Sequence, residues 1–553
     1  MPKNQQKKER GNRPGVIGQP TSHRQFLHGI NMIADLLAPT LGPNGGPVAS
    51  GPDAGKRVEI LDDAATIVRR IISLGRPQRD IGAMIMRNLI WRVGQRAGDG
   101  GATAAVLARA IYQEGLRLNN AGFNQMRLIR GIDEGVRIAT EVLQTQARPV
   151  VGENELAAVA RTITKDKALS AVLGEMSYLL GPDAHVIIEK YVAPYLHRRY
   201  IAGAHFGAEI SSMYFYTQPD LKKAVLTAPA LALLEERLTT AEQVIPLMEA
   251  AVRAGAKALT IVAQEVSGGA LGALVTNNQA PEDKKKLSIV AVKLKAVGQE
   301  AKWAMTDLAL LSGATILGPN TPRKAAHART EDLGSTQRVE FLNNGLVVMA
   351  HDANRAAIQQ EVTSLRMRVD SLTLDDEDRP KLIKRLGTLT GGVGELKIGA
   401  HTKGEREMRQ AQAERALKVL SSAQRGGVVA GGGAALFHCI PALCQAADQM
   451  NGQEEIAHGI RLLARALAAP LRQIIRNAGV DASELMMQRV RDAGPQATFD
   501  VFSGSVVDAY TAGVLDVTDI VTKVLQIAAS GATMALSTDT IVYHRKPQES
   551  MTP

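Results

Sequence analysis

The segment Gly98-Asp99-Gly100-Gly101-Ala102-Thr103 sets one acid among glycines immediately before an Ala-rich helical stretch. Glycines let a backbone approach a phosphate closely, and a helix start offers N–H groups that no earlier turn uses. An aspartate inside such a loop suits a metal ion better than bare phosphate. It would hold Mg²⁺, which offsets the repulsion between carboxylate and triphosphate. The loop is not a Walker A motif, because no Gly-Lys-Ser/Thr follows. Three further segments carry usable chemistry. Leu41-Gly42-Pro43 is a tight turn able to hold a phosphate or cap a base. Gly431-Gly432-Gly433 again precedes a helix. Asp516, in Gly513-Val514-Leu515-Asp516, is placed to bond a ribose hydroxyl. Taken singly, each also has a structural reading, as a helix-opening turn or an acidic N-cap.

The elements that must position these residues follow from periodicity. Phe26, Ile30, Ile33, Ala34 and Leu37 recur at helical spacing, and Pro39 ends the run. Ile81, Ile85, Leu89 and Val93 mark a second helix. Ile132, Val136, Ala139 and Leu143 mark another, ended at Pro149. Residues 26–148 are thus expected to be all-helical. Strand-like runs at 230–234, 257–263, 287–293 and 314–317 alternate with helical segments near 241–253, 267–278 and 299–311, an α/β pattern. Beyond about 380 the chain reads as helical again, at 403–424, 455–476 and 517–538, with a glycine knot at 426–433. Helical, α/β, helical is the order of an α/β domain inserted into a helical one.

Composition narrows the field. The 553 residues are 45% hydrophobic and 22% charged, enough for several packed domains. Aromatics are only 3%, which favours helices and buried parallel strands over an aromatic-rich sandwich. Two cysteines, Cys439 and Cys444, exclude a disulfide framework, and with His438 they are too few for a zinc site. Both read as buried thiols, in keeping with a cytoplasmic protein. No N-terminal apolar segment and no run long enough to cross a bilayer is present. The formal charge is +10, and Lys3, Lys7, Lys8, Arg10, Arg13 and Arg24 face only Glu9 in the first 24 residues. Such an arm could touch nucleic acid, but a solvated disordered tail over 1–25 is the preferred reading, since no aromatic precedes Phe26.

Joint order gives these segments their meaning. NMIADLLAPTLGPNG from Asn31 to Gly45, AGDGGATAAVLA at 97–108, EDLG at 331–334, GVVAGGGAAL at 427–436 and AGVLDVT at 512–518 together resemble the group I chaperonins, the GroEL family. The likeness runs from about 26 to 540, at a divergence like that of phage-encoded members. It implies an α+β multidomain fold. A helical equatorial ATP-binding domain would span 26–146 and 426–540, and an intermediate domain 147–202 and 392–425. An inserted α/β apical domain would span 203–391, with a C-terminal tail over 541–553. Hinges would lie near Pro149, Gly203 and Gly391-Gly392.

The resemblance implies ATP, Mg²⁺ and, as a further ion, K⁺. It implies a homo-oligomeric ring of seven around non-native polypeptide, with a co-chaperonin lid left open. For ATP it points to Thr40, Leu41, Gly42, Pro43, Asp99, Gly100, Gly101, Ala102, Thr103, Gly432, Asp500, Val514 and Asp516, with Asp99 on the metal. Asp63 would lie near the attacking water. For polypeptide it points to Ile210, Tyr214, Phe215, Ile245, Met248, Leu271, Val275 and Thr276. Several positions depart from the family. Asp62 stands where the family has Lys. Gly101 and Ala102 replace threonines. Arg415 stands where an aspartate orients water, which implies slow hydrolysis with Arg415 acting on the transferring phosphoryl group. The C-terminal HRKPQESMTP lacks Gly-Gly-Met repeats. An ATP-binding ring that holds clients with little turnover, and a nucleic-acid binder working through the basic arm, remain as alternatives.

Overall fold

The computed structural model describes residues 15–51, 58–182, 185–191, 193–201, 203–281, 285–342, 345–372, 378–390 and 393–543. Most of the basic arm, Gly391-Gly392 and the tail from His544 onward lie outside these. The chain forms two compact units, one of Met1–Tyr178 with Glu407–Pro553 and one of Leu179–Arg406.

The first unit is helical. Its principal helices are Thr21–Leu37, Pro77–Arg96, Gly101–Asn120, Gln125–Gln146, Glu454–Ala466, Ala469–Asn477 and Thr518–Leu536. Their apolar stripes bury Phe26, Ile33, Leu37, Ile90, Leu107, Ile111, Leu463 and Leu525. Glycine sets two of the closest approaches. A Cβ on Gly131 would lie 2.2 Å from the Ile456 carbonyl oxygen, and one on Gly459 would lie 2.3 Å from that of Leu128. Helices Gln125–Gln146 and Glu454–Ala466 therefore meet backbone to backbone. The stretch expected as one helix over 455–476 is two, because Pro470 cannot continue the first and instead opens the second.

Short β pairings appear that periodicity does not predict. Val48–Ser50 pairs with Glu59–Leu61 inside the segment expected to be all-helical. Gly15–Ile17 pairs antiparallel with Ile541–Tyr543. Ala497–Asp500 pairs with Ser505–Asp508. Order therefore begins before Phe26, and helix Thr21–Leu37 already buries Ser22 and His23. Ser22 Oγ donates to the Asp539 carbonyl at 2.7 Å, so described structure extends past the tail boundaries expected at 25 and 541.

The second unit is built on a mixed sheet. Strands Ile316–Leu317, Ala230–Leu234, Ala258–Ala263 and Ser288–Leu294 run parallel. Ala204–Ile210, Gly345–Met349, Arg338–Leu342 and Ala224–Thr227 continue it in antiparallel pairing. Every residue of Ala258–Ala263 is buried, as expected of a parallel strand covered on both faces. Helices Ala241–Arg253, Gly268–Gln279 and Gly298–Ser312 alternate with the parallel strands, as the periodicity indicates. A separate three-stranded sheet joins His185–Lys190, Val393–Ile398 and Leu196–Ile201. Cys439 is buried and Cys444 only half-buried, and both are free thiols. The expectation of two buried thiols therefore holds for the first alone.

Candidate functional site

The glycine-rich loop at Asp99 lies in the first unit. Gly98 (φ 80°) and Gly100 (φ 89°) adopt the left-handed conformation that reverses the chain into helix Gly101–Asn120. The Ala104 N–H already bonds the Gly100 carbonyl at 2.9 Å. The N–H groups of Gly101, Ala102 and Thr103 thus occupy the helix's first turn. A side chain at Gly101 would collide with Ala64, since a Cβ there lies 2.9 Å from the Ala64 Cβ. This explains the departure from threonine at that position.

The same close approach brings in Asp62 and Asp63. Asp63 caps helix Ala64–Arg69, its Oδ2 accepting from the Thr66 N–H at 2.8 Å and the Thr66 hydroxyl at 2.7 Å. Long helix Lys403–Gly426 lays Arg415 across both acids. Its Nη2 is 2.9 Å from Asp62 Oδ2, and its Nη1 is 3.3 Å from Asp63 Oδ1. One turn earlier, Gln412 Nε2 donates to the same Asp62 oxygen at 2.7 Å. Arg415 is therefore engaged with two carboxylates.

Leu41 is buried with Ala38, Val106 and Ile474, and Ala102 packs on that cluster, so the Leu41-Gly42-Pro43 turn lies against the helix that Asp99 precedes. Asn477 Nδ2 donates to the Ala38 and Leu41 carbonyls, each at 2.8 Å, and the Thr40 hydroxyl donates to Leu37. Lys165, just past helix Glu153–Thr164 and itself left-handed (φ 51°), donates from Nζ to the Gly45 carbonyl. The charges of Asp62 and Asp99 both act on this ammonium, against burial that lowers its pKa. Sequence reading missed Lys165. Its only signal is a Lys-Asp-Lys run at a helix end, which reads as a solvated surface.

The glycine knot forms the other side. Val428–Ala430 pairs with Leu515–Val517, setting Val429 opposite Asp516. Gly432 (φ 68°) and Gly433 (φ 78°) turn consecutive N–H groups onto the Asp516 carboxylate, a backbone nest that only glycine forms without strain. Burial pushes the Asp516 carboxyl up to about 6, the Asp99 charge pushes the same way, and the two glycine N–H groups oppose both. The Asp99 carboxyl is likewise raised. Burial leads, the Gly100 N–H and Arg415 oppose it, and Asp63 and Asp62 add to it. By surface area Asp99 is exposed and Asp516 half-buried. Asp99 thus keeps solvent-accessible surface while neighbouring protein atoms crowd both carboxyls.

Val514 lines the knot, its Cγ1 being 3.8 Å from where a Gly432 Cβ would sit, and the Phe499 carbonyl is equally close. Asp500 follows at the strand end. It turns its carboxylate onto its own loop, accepting from the Phe502 and Ser503 N–H groups at 3.2 and 3.0 Å. Burial works against its ionisation, but these bonds hold its carboxyl below the usual range.

Among the described residues, no three His, Cys, Asp or Glu side chains gather closely enough to hold a metal by themselves. Mg²⁺ needs no such cage, since one carboxylate plus substrate phosphates is its usual set. The raised Asp99 carboxyl, crowded by Asp62 and Asp63, is a group that a cation would relieve.

In the second unit, Tyr214 is 55% and Ile245 is 45% exposed. Ile210, Met248, Leu271 and Val275 are half-buried against the core. Thr276 is exposed, and its hydroxyl returns to the Gly272 carbonyl. Phe215 is 1% exposed and belongs to the core. Its expected contact with polypeptide is therefore withdrawn, because the short helical turn Met213–Phe215 points it inward and its neighbour outward. An open groove of about 480 Å³ is lined by Ile245, Met248, Glu249, Val252 and Arg253 from one helix and by Asn277, Lys286 and Leu287. Leu271 and Val275 do not line it. Met213, 70% exposed, and Val252 were passed over, since spacing alone does not tell an outer face from an inner one.

A family profile matches residues 33–189 and 219–546, that of the TCP-1/cpn60 chaperonin family. This chain belongs to that family. Members of the family are ATPases that assemble as rings and take polypeptide clients. Among solved structures, this chaperonin is similar to the chaperonin gp146 from the bacteriophage EL 2 (Pseudomonas aeruginosa), crystallised in the presence of ATP-BeFx. One crystal form gives 16% identity and a TM-score of 0.69, covering 95% of this chain and 98% of the other. A second form gives a TM-score of 0.62 at the same identity and coverage. At that identity the likeness is one of fold. No helix among the described residues is long and apolar enough to cross a membrane.

Proposed function

We propose that this chaperonin binds Mg²⁺-ATP in the cleft of its first unit. Slow hydrolysis there would drive cycles in which a homo-oligomeric, cytoplasmic ring encloses non-native polypeptide and assists its folding. The observation that carries this reading is the meeting of Asp99, Asp516 and the Asp62–Asp63–Arg415 cluster in one electrostatic neighbourhood. Together these residues span more than 400 positions of the chain. The resemblance adds a ring of seven, the three-domain division and K⁺ as a further ion, and leaves open whether a lid is used.

In this reading Asp99 would hold Mg²⁺, which supplies charge neutralisation at the phosphates. The first-turn N–H groups of helix Gly101–Asn120 and the Leu41-Gly42-Pro43 turn would cradle phosphate oxygens. Asp516 would accept from a ribose hydroxyl, with Gly432, Val514 and Asp500 around the adenosine. Lys165, already gripping the phosphate turn through Gly45, adds an ammonium that position 62 does not provide. Arg415 would stabilise charge on the transferring phosphoryl group. In the second unit, the groove at Ile245, Met248 and Val252 with Tyr214 would take apolar client segments. Each contact is weak, but many linked copies around a ring multiply affinity.

Phosphate release by the purified protein, with Asp99→Ala as control, tests the reading. Equal rates would remove it. One observation favours a second reading, an ATP-binding ring with little turnover. Arg415 neutralises both acids nearest the hydrolytic position. Nucleotide-dependent client capture without measurable phosphate release would select that reading.

A further inference from the structure

Hydrolysis of a triphosphate needs a group that orients the attacking water. Three carboxylates act on one another beside the glycine loop: Asp62, Asp63 and Asp99. Asp99 is the metal candidate. Asp63 is spent as a helix cap. Its Oδ2 takes both the N–H and the hydroxyl of Thr66, at 2.8 and 2.7 Å, and its Oδ1 takes Arg415 at 3.3 Å. Turning it toward a water would uncap helix Ala64–Arg69.

Asp62 is placed differently. Its described bonds fall on one oxygen, Oδ2, from Gln412 at 2.7 Å and Arg415 at 2.9 Å. Both donors stand on one face of helix Lys403–Gly426, three positions apart. Gln412 is only 5% exposed, so this amide is fixed by packing. Asp62 itself leaves the strand Glu59–Leu61 and directly precedes the capped helix. The carboxylate is thus held by one helix through one oxygen, while its charge acts on Asp99 and Lys165.

We propose that Asp62, oriented by Gln412 and Arg415, is the carboxylate that positions the attacking water through its Oδ1. The inference rests on the reading of the cleft as an ATP site. The water oxygen bonds the γ-phosphorus as the bond from that phosphorus to the β,γ-bridging oxygen breaks. ADP leaves with that electron pair, and the water proton passes to Asp62 and then to the released phosphate or solvent. Asp62 is then a catalytic residue, Gln412 a positioning residue, and Asp63 the keeper of the local fold.

The test uses the full chain, Mg²⁺-ATP, equilibrium binding and single-turnover hydrolysis, with thermal melts as a folding check. Asp62→Asn should slow single-turnover hydrolysis by about 10²- to 10⁴-fold while ATP affinity holds within about threefold. Gln412→Leu should lower the hydrolytic rate and leave affinity unchanged, a split that a purely structural role would not give. If Asp62→Asn fails to fold, Asp62→Glu replaces it. Moving the same charge by one methylene should cost about tenfold or more in rate, with binding kept. An Asp62 variant that binds and hydrolyses ATP like wild type overturns this proposal alone. A wild-type protein that binds no ATP overturns the underlying site as well.

Discussion

The cleft of the first unit and the groove of the second illustrate two ways of building a binding surface. In the cleft, nearly every element is a backbone device or a paired charge. Left-handed glycines aim N–H groups at Asp516, a capped helix holds Asp63, and two side chains of one helix pin Asp62. Such parts tolerate little displacement, which suits a ligand of fixed shape. The groove sets apolar side chains beside the polar Glu249, Arg253, Asn277 and Lys286. Ile245, Met248 and Val252 line an open concavity, and Tyr214 and Met213 stand exposed elsewhere in the same unit. Apolar burial is non-directional, so in the proposed function such a surface would accept chains with no common sequence. Geometry selects in the first region and exposure in the second.

Substitutions should separate the two regions, the largest effects falling in the cleft. Asp99→Ala is expected to reduce phosphate release by about 10³-fold or more, through lost metal binding. Phe215→Ala should destabilise the second unit by about 3–5 kcal/mol, seen as a lower melting midpoint. Tyr214→Ala, one position away, should leave the midpoint unchanged and weaken capture of an unfolded client. If both lower the midpoint equally, the inside-outside division of that turn is wrong. Lys165→Met is expected to weaken ATP binding about tenfold with a smaller effect on AMP, by loss of one charge-assisted phosphate contact, measured by calorimetry.

The smallest effect concerns pH. The Asp516 carboxyl is raised to about 6 in the fold, so its contribution to stability is full below its unfolded value and is lost as pH rises through about 6. In the ligand-free protein the wild-type melting midpoint should fall over that window relative to Asp516→Asn. Parallel curves for the two would show that the carboxyl is not desolvated.

How much of this was legible follows from the same contrast. Gly98–Thr103, the glycine knot and Asp516 could be read because glycine and acid in turns leave few alternatives. The α/β strands at 230–234 and 258–263 could be read because buried parallel strands are continuous apolar runs. The hairpin Val48–Ser50 with Glu59–Leu61 was not legible, since three residues give no periodicity. Nor was the pairing of Gly15 with Tyr543, which only the closed fold brings together. Lys165 escaped because its role depends on reaching the Gly45 carbonyl across the fold. Phe215 was misplaced because a helical turn separates adjacent side chains that the bare sequence leaves equivalent.

The most direct test of the central claim is equilibrium binding of Mg²⁺-ATP to the purified chain alongside Asp99→Ala and Asp516→Ala, with all three shown to be folded. One site per chain is expected in the wild type, strongly weakened by either substitution, since the two acids would serve opposite ends of a single nucleotide. Binding that survives both changes would contradict a shared cleft.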